Sequence, residues 1–236
     1  MCGSPRRRPH FAAPIARVWG PKRFEIAKRD DRDYLLSRGL LYQMLAVAAG
    51  YLCITLFVGD VVRVMTTPEF YGAARIVPVV MMAYVFNIMA GNQNLGILVK
   101  EETKYLFVVD WIAAATAMAG FFLLIPDFGL MGAASATVVA YVVRWALSYL
   151  ISQRLWYVRY QWVPLLKVAL FTAVPLVGAY LVRFEDPVAS FASRVGWALT
   201  FFAAVWWGNL FTEREREWFT AFPAKAYRVV ASRLGL

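Results

Sequence analysis

Two ionisable side chains stand inside apolar runs at equal distances from a third: Asp110 lies seventeen residues before Asp127, and Arg144 seventeen after it. A carboxylate and a guanidinium at membrane depth either pair with one another or mark a site for a charged ligand. The same neighbourhood holds Asp127-Phe128-Gly129, the letters of a metal-binding tripeptide of phosphoryl-transfer enzymes. That chemistry needs a Gly-rich loop over a strand and a His-Arg-Asp catalytic loop, and the sequence has neither. Cys2 and Cys53 are the only thiols and His10 is the only imidazole. They are too few for a metal site of the usual ligand types, and no Ser-His-Asp or Cys-His arrangement can be drawn from them. Nothing in the residue types points to an enzyme, a cofactor or a metal ion.

The elements that hold Asp110 and Arg144 follow from composition. The chain is 61% apolar and 17% charged, with a mean hydropathy of +0.54, whereas a soluble domain is roughly 45–50% apolar and about 25% charged. Six stretches approach the roughly 20 apolar residues that one bilayer crossing needs: 39–59, 76–99, 105–126, 128–152, 162–182 and 189–211. Lipid offers the backbone no hydrogen bonds, so these are read as helices. Their continuous apolarity, without period-two alternation, speaks against a barrel. The expected fold is all-α: a polytopic membrane bundle of six transmembrane helices.

Charge sets the expected orientation. With the N-terminus inside, the segments 1–38, 100–104, 153–161 and 212–236 carry nineteen Lys and Arg, against three in 60–75, 127 and 183–188. Cytoplasmic loops carry such an excess, so both termini are expected in the cytoplasm. The net charge of +10 then reads as an orientation signal and a contact with anionic lipid, not as a nucleic-acid surface. Arg6-Arg7-Arg8 is followed by further basic residues and no apolar stretch, so the start is not a signal peptide. The organisation is a basic segment 1–38, a membrane domain 39–211 and a tail 212–236. In the tail, Trp218, Phe222, Val230 and Leu234 recur at multiples of four, which predicts an amphipathic helix on the inner surface.

Between the third and fourth spans, Pro126, Asp127 and Gly129 read as a tight hairpin, with Pro126 ending the helix. The following run of small residues, Gly132, Ala133, Ala134, Ser135, Ala136 and Thr137, faces a similar run from Ala113 to Gly120. Such runs let membrane helices approach closely. Here the sequence resembles a known family. Leu124-Ile125-Pro126, Gly129, Gly132-Ala133-Ala134 and Ala136-Thr137 are similar to the hairpin signature of polysaccharide-biosynthesis flippases of the multidrug/oligosaccharidyl-lipid/polysaccharide exporter superfamily. Tyr71 and Ala74 before Pro78 resemble the entry to one of that family's helices, and Gly96-Ile97-Leu98 with Lys100 and Thr103 resembles one of its loops. The resemblance runs from about Arg17 to Arg154. It implies two helical lobes rocking around a cationic cavity that moves an anionic lipid-linked glycan across the cytoplasmic membrane. It covers the last six helices of a fourteen-helix arrangement, which implies an N-terminal lobe or partner chain beyond this sequence.

Polar residues at membrane depth are the candidate sites. At ~1.5 Å per residue, Asp110 and Arg144 both sit about 25 Å from the hairpin tip, at one depth on antiparallel helices, and are expected to pair. The pair either holds the hairpin or leaves Arg144 to meet the diphosphate that the resemblance implies. Asn87, Asn92 and Gln93, with Asn94, are the other cavity candidates, or else helix-to-helix hydrogen-bonding groups. Lys167 and Arg194 lie near helix starts, where snorkelling to the interface accounts for them. A non-transporting subunit or scaffold of a glycan-assembly complex, and a multidrug-extrusion type of transporter, stand as alternatives.

Overall fold

The computed structural model describes residues 22–182, 187–208 and 210. Residues 1–21 of the basic segment and the amphipathic tail 212–236 expected above lie outside the described residues. Within them every regular element is helical: a short turn at 22–26, α1 (Arg32–Met65), a 3-10 helix (Pro68–Arg75), α2 (Val77–Gln93), α3 (Leu95–Val99), α4 (Lys104–Leu155), α5 (Trp162–Leu181) and α6 (Pro187–Trp207). Five helical stretches are long and apolar enough to cross a membrane. The helix is the form in which these apolar sequences satisfy every backbone N–H and C=O locally.

One of them cannot be a single straight span. The 52 residues of α4 would reach about 78 Å at 1.5 Å per residue, against a hydrocarbon core of about 30 Å. The chain doubles back at Gly129, whose backbone (φ 55°, ψ −132°) is non-helical. Limbs 104–128 and 130–155 then run side by side: a Cβ on Gly120 would lie 2.7 Å from Ala136 Cβ, and Asp110 meets Arg144. The expected helix end at Pro126 is therefore corrected to Gly129, because Pro126 lies inside the helix. Proline removes one N–H bond but keeps a helical φ, whereas the reversal requires a positive φ, which glycine adopts without a Cβ penalty.

The small residues act unequally. Gly132, Ala134, Ala136 and Ala140 are buried on the second limb, and Ala113 on the first, while Ala114, Ala115 and Ala119 are exposed. A Cβ on Gly132 would collide with the Leu124 carbonyl, so the turn closes tightly enough to exclude any side chain there.

The chain forms two compact units: residues up to 47 with 66–161, and residues 48–65 with those from 162 onward. Helix α1 contributes its first half to one and its second half to the other. In the first unit, α2 and α3 pack on α4. They run parallel to its second limb, as the pairs Tyr84–Tyr141, Asn87–Arg144 and Gly96–Ser152 require. A small cluster of Leu36, Leu95 and Val158, joined by Ile26, Trp156 and Tyr160, closes one end. Burial there favours the neutral phenol and pushes Tyr160 up to about 12. In the second unit Leu52, Leu56, Ala198 and Phe201 are the core, and α5 packs on α6.

Replacing Gly129 with Ala places an L side chain in a backbone region that costs of order 1–3 kcal/mol. The unfolding free energy of the purified chain in detergent should fall by about that much. Gly59→Ala, inside α1 and where a Cβ would meet nothing within 4 Å, should be neutral or stabilising by up to about 1 kcal/mol. Equal effects at the two positions would mean that Gly129 does not set the turn.

Candidate functional site

Three helical segments of the first unit bring their polar side chains together at Arg144. Its Nε donates to Asp110 Oδ1 at 2.8 Å across the hairpin, and its Nη1 donates to Asn87 Oδ1 on α2. The guanidinium is thus fixed by two neighbours on two different elements. Its position follows from local rules: the reversal at Gly129 brings 110 opposite 144, and the parallel run of α2 brings 87 to the same level. The Arg144 side chain keeps 29% of its surface exposed and the Asp110 side chain 56%. A guanidinium has five N–H donors, and those beyond the two engaged have no partner among the described residues. The arrangement is an oriented cation with donors to spare beside an open carboxylate. It can bind an anion, and the carboxylate can compete for the same donors.

The other candidates separate from this centre. Gln93 is fully buried and its Oε1 accepts from Trp145 Nε1 at 2.6 Å. Its Nε2 is buried without a hydrogen-bond partner, a group whose desolvation costs about 1–3 kcal/mol. Asn92 is buried as well, and its Nδ2 donates to Ile88 O of its own helix at 2.9 Å. These two lie in the helix packing, while Asn87 alone of the α2 amides reaches Arg144. Around the hairpin, Thr137 Oγ1 donates to Ala133 O at 2.9 Å. Pro126, Gly129, Gly132, Ala133 and Ala134 belong to the turn and its packing.

Sequence reading missed two contacts. Asp60, assigned to a loop, lies in α1, because that helix continues to Met65. There it pairs with Arg194, whose Nη2 also donates to Ser190 Oγ at 3.0 Å. So Arg194 is engaged within the second unit as well as near a helix start. The signal was present: Asp60 directly follows one apolar run and Arg194 lies just inside another, two ends that alternate to the same side. Arg23 was read as one more basic residue of the leading segment. Its Nη1 donates to Gly91 O at 2.9 Å, capping the carbonyl end of α2, where a cation is favoured. Burial lowers its pKa from the usual arginine range. No local pattern around Arg23 announced this contact. Lys167 Nζ reaches Gly208 O at 3.4 Å. Among the described residues, no three His, Cys, Asp or Glu side chains gather in a metal-binding group.

Several long apolar helices and a related membrane protein together make this chain a multi-pass membrane protein. The relative is the uncharacterized membrane protein MJ1068 of Methanocaldococcus jannaschii, 24% identical over 178 residues, covering 71% of this chain and 34% of MJ1068. The chain thus spans about a third of that protein's length. Neither a protein family nor a solved structure matches.

The Asp60–Arg194 pair yields a stability test. Each of Asp60→Asn and Arg194→Gln should destabilise the chain in detergent, and the double variant should lose less than the sum, with a coupling of about 1 kcal/mol. Additive losses would show that the pair contributes nothing.

Proposed function

We propose that this chain is the C-terminal portion of a membrane transporter that carries an anionic lipid-linked oligosaccharide precursor across the cytoplasmic membrane. One observation carries the reading: Arg144 is held at membrane depth by Asp110 and Asn87 with further N–H donors uncommitted. Intramembrane cations are rare and mark ion or substrate pathways. A planar guanidinium suits phosphate oxygens, which it can engage through two parallel hydrogen bonds. The resemblance of the Leu124–Thr137 stretch to flippase hairpins supports the substrate class. The site performs no covalent step in this reading.

The proposal includes six membrane crossings, the doubled α4 supplying two, with both termini in the cytoplasm. The distribution of Lys and Arg supports that orientation. The parallel run of α2 and the second limb of α4, which have one intervening crossing between them, supports the alternation of crossings. Asp110 lies six residues after the start of α4, about 9 Å along the axis. In this orientation the site belongs to the inner half of the bilayer, where a cytoplasmically made lipid-linked glycan is loaded. A second lobe, from further sequence or from another chain, would complete the cavity.

The test is binding. Purified chain in phosphatidylcholine nanodiscs should bind geranyl diphosphate, a short-chain prenyl diphosphate. Arg144→Ala should weaken that binding by about 1.5–3 kcal/mol, the range for hydrogen bonds to charged groups. Asp110→Ala/Arg144→Ala should remain as weak as the single variant. Recovery of binding in the double variant would make the pair a structural clasp, and an unaffected Arg144→Ala would remove the proposed site.

A further inference from the structure

The anion expected at Arg144 meets a group already in place. We propose that Asp110 is an internal competitor for the Arg144 guanidinium, and that binding of a diphosphate displaces it. This rests on the reading of Arg144 as an anion-binding group and adds a regulation to that site.

The argument begins with the unequal anchoring of the two partners. Arg144 is held twice, by Asp110 across the hairpin and by Asn87 on α2. Among the described residues Asp110 has one partner, Arg144, and more than half of its side chain is exposed. Losing the Asp110 contact therefore leaves the guanidinium tethered by Asn87, whereas losing Arg144 leaves Asp110 with nothing. Asn87 is neutral and accepts through its carbonyl oxygen, so it orients the arginine without satisfying its charge. An incoming phosphoryl group offers the same acceptor geometry as a carboxylate with more negative charge, and two anions cannot share one guanidinium without repulsion. The weaker and more loosely held one is Asp110.

Among the described residues, Asp110 is the acid that pairs with Arg144. The elements packed on α4 are α2 and α3. Tyr84 is the only titratable residue of α2, and α3 has none. Tyr84 stacks with Tyr141 of the second limb, their ring centroids 6.4 Å apart. Elsewhere on α4, Lys104 pairs with Glu102 at 2.7 Å and stands beside Tyr105, while Tyr149 stacks with Tyr160. Asp127 is at the hairpin tip, and Arg154 lies in the last turn of the helix.

The experiment titrates wild type, Asp110→Asn and Asp110→Ser in nanodiscs with geranyl diphosphate by calorimetry. Competition predicts that both variants bind more tightly than wild type, by about tenfold for the loss of one charge-assisted contact. A purely structural pair predicts weaker binding in both variants. Equal or weaker binding than wild type would overturn the proposal while leaving Arg144 as the anion site. Binding by none of the three proteins would overturn that reading and this one together.

Discussion

A helix that is too long for the bilayer must turn within it or leave it, and this constraint governs the first unit. Helix α4 turns at a single residue with positive φ, Gly129. The position of that residue sets the register of everything along the two limbs. Gly120 meets Ala136 and Asp110 meets Arg144, pairs centred within a residue of one another. A turn displaced along the chain would slide the limbs past each other, and because an α-helix rotates about 100° per residue, it would also turn the paired side chains away. The backbone angle of one glycine thus decides whether an acid and a base at membrane depth face each other or face lipid.

Their meeting is what makes either residue tolerable. A charge at the centre of a membrane helix costs about 2.5–3.5 kcal/mol by insertion measurements, and one nearer the helix start, as Asp110 is, costs less. Pairing cancels the net charge but does not fill the coordination of either group. Asn87 supplies a further acceptor, and its presence on α2 ties the hairpin to its neighbour. The same economy appears in the second unit, where Arg194 is shared between Asp60 and Ser190. In both cases the arginine makes more contacts than the aspartate, as its five donors allow.

Much of this was legible in the sequence, for physical reasons that differ by element. The apolar runs announce helices because lipid leaves the backbone no alternative, and all five long helices overlap an expected span. The symmetric placement of Asp110 and Arg144 about the turn is readable because antiparallel helices rise at the same rate. The ends of α1 were not legible. Hydropathy stops at charged residues such as Arg38 and Asp60, but the helix continues through them to Arg32 and Met65, since a helical backbone needs no apolar side chain once it emerges from the hydrocarbon. Asp60 was therefore placed in a loop and its pairing with Arg194 went unseen. The turn was located within three residues: proline was read as the stop, although a proline keeps a helical φ and the non-helical backbone lies at Gly129. Arg23 gave no signal, because its contact with the carbonyl end of α2 depends on tertiary packing across almost seventy residues.

The two buried amides next to the site show how packing and function divide a single polar stretch. Asn87, Asn92 and Gln93 lie on one helix, but five and six residues at 100° each turn the latter two well away from the first. Asn92 spends its donor on its own helix. Gln93 gives its acceptor to Trp145, the residue next to Arg144, so the second limb is gripped from α2 at two successive positions. One contact engages the charged group from α2. The other sets a fully buried amide against an indole of the facing limb, so a single polar stretch of α2 serves both the charged centre and the packing beside it.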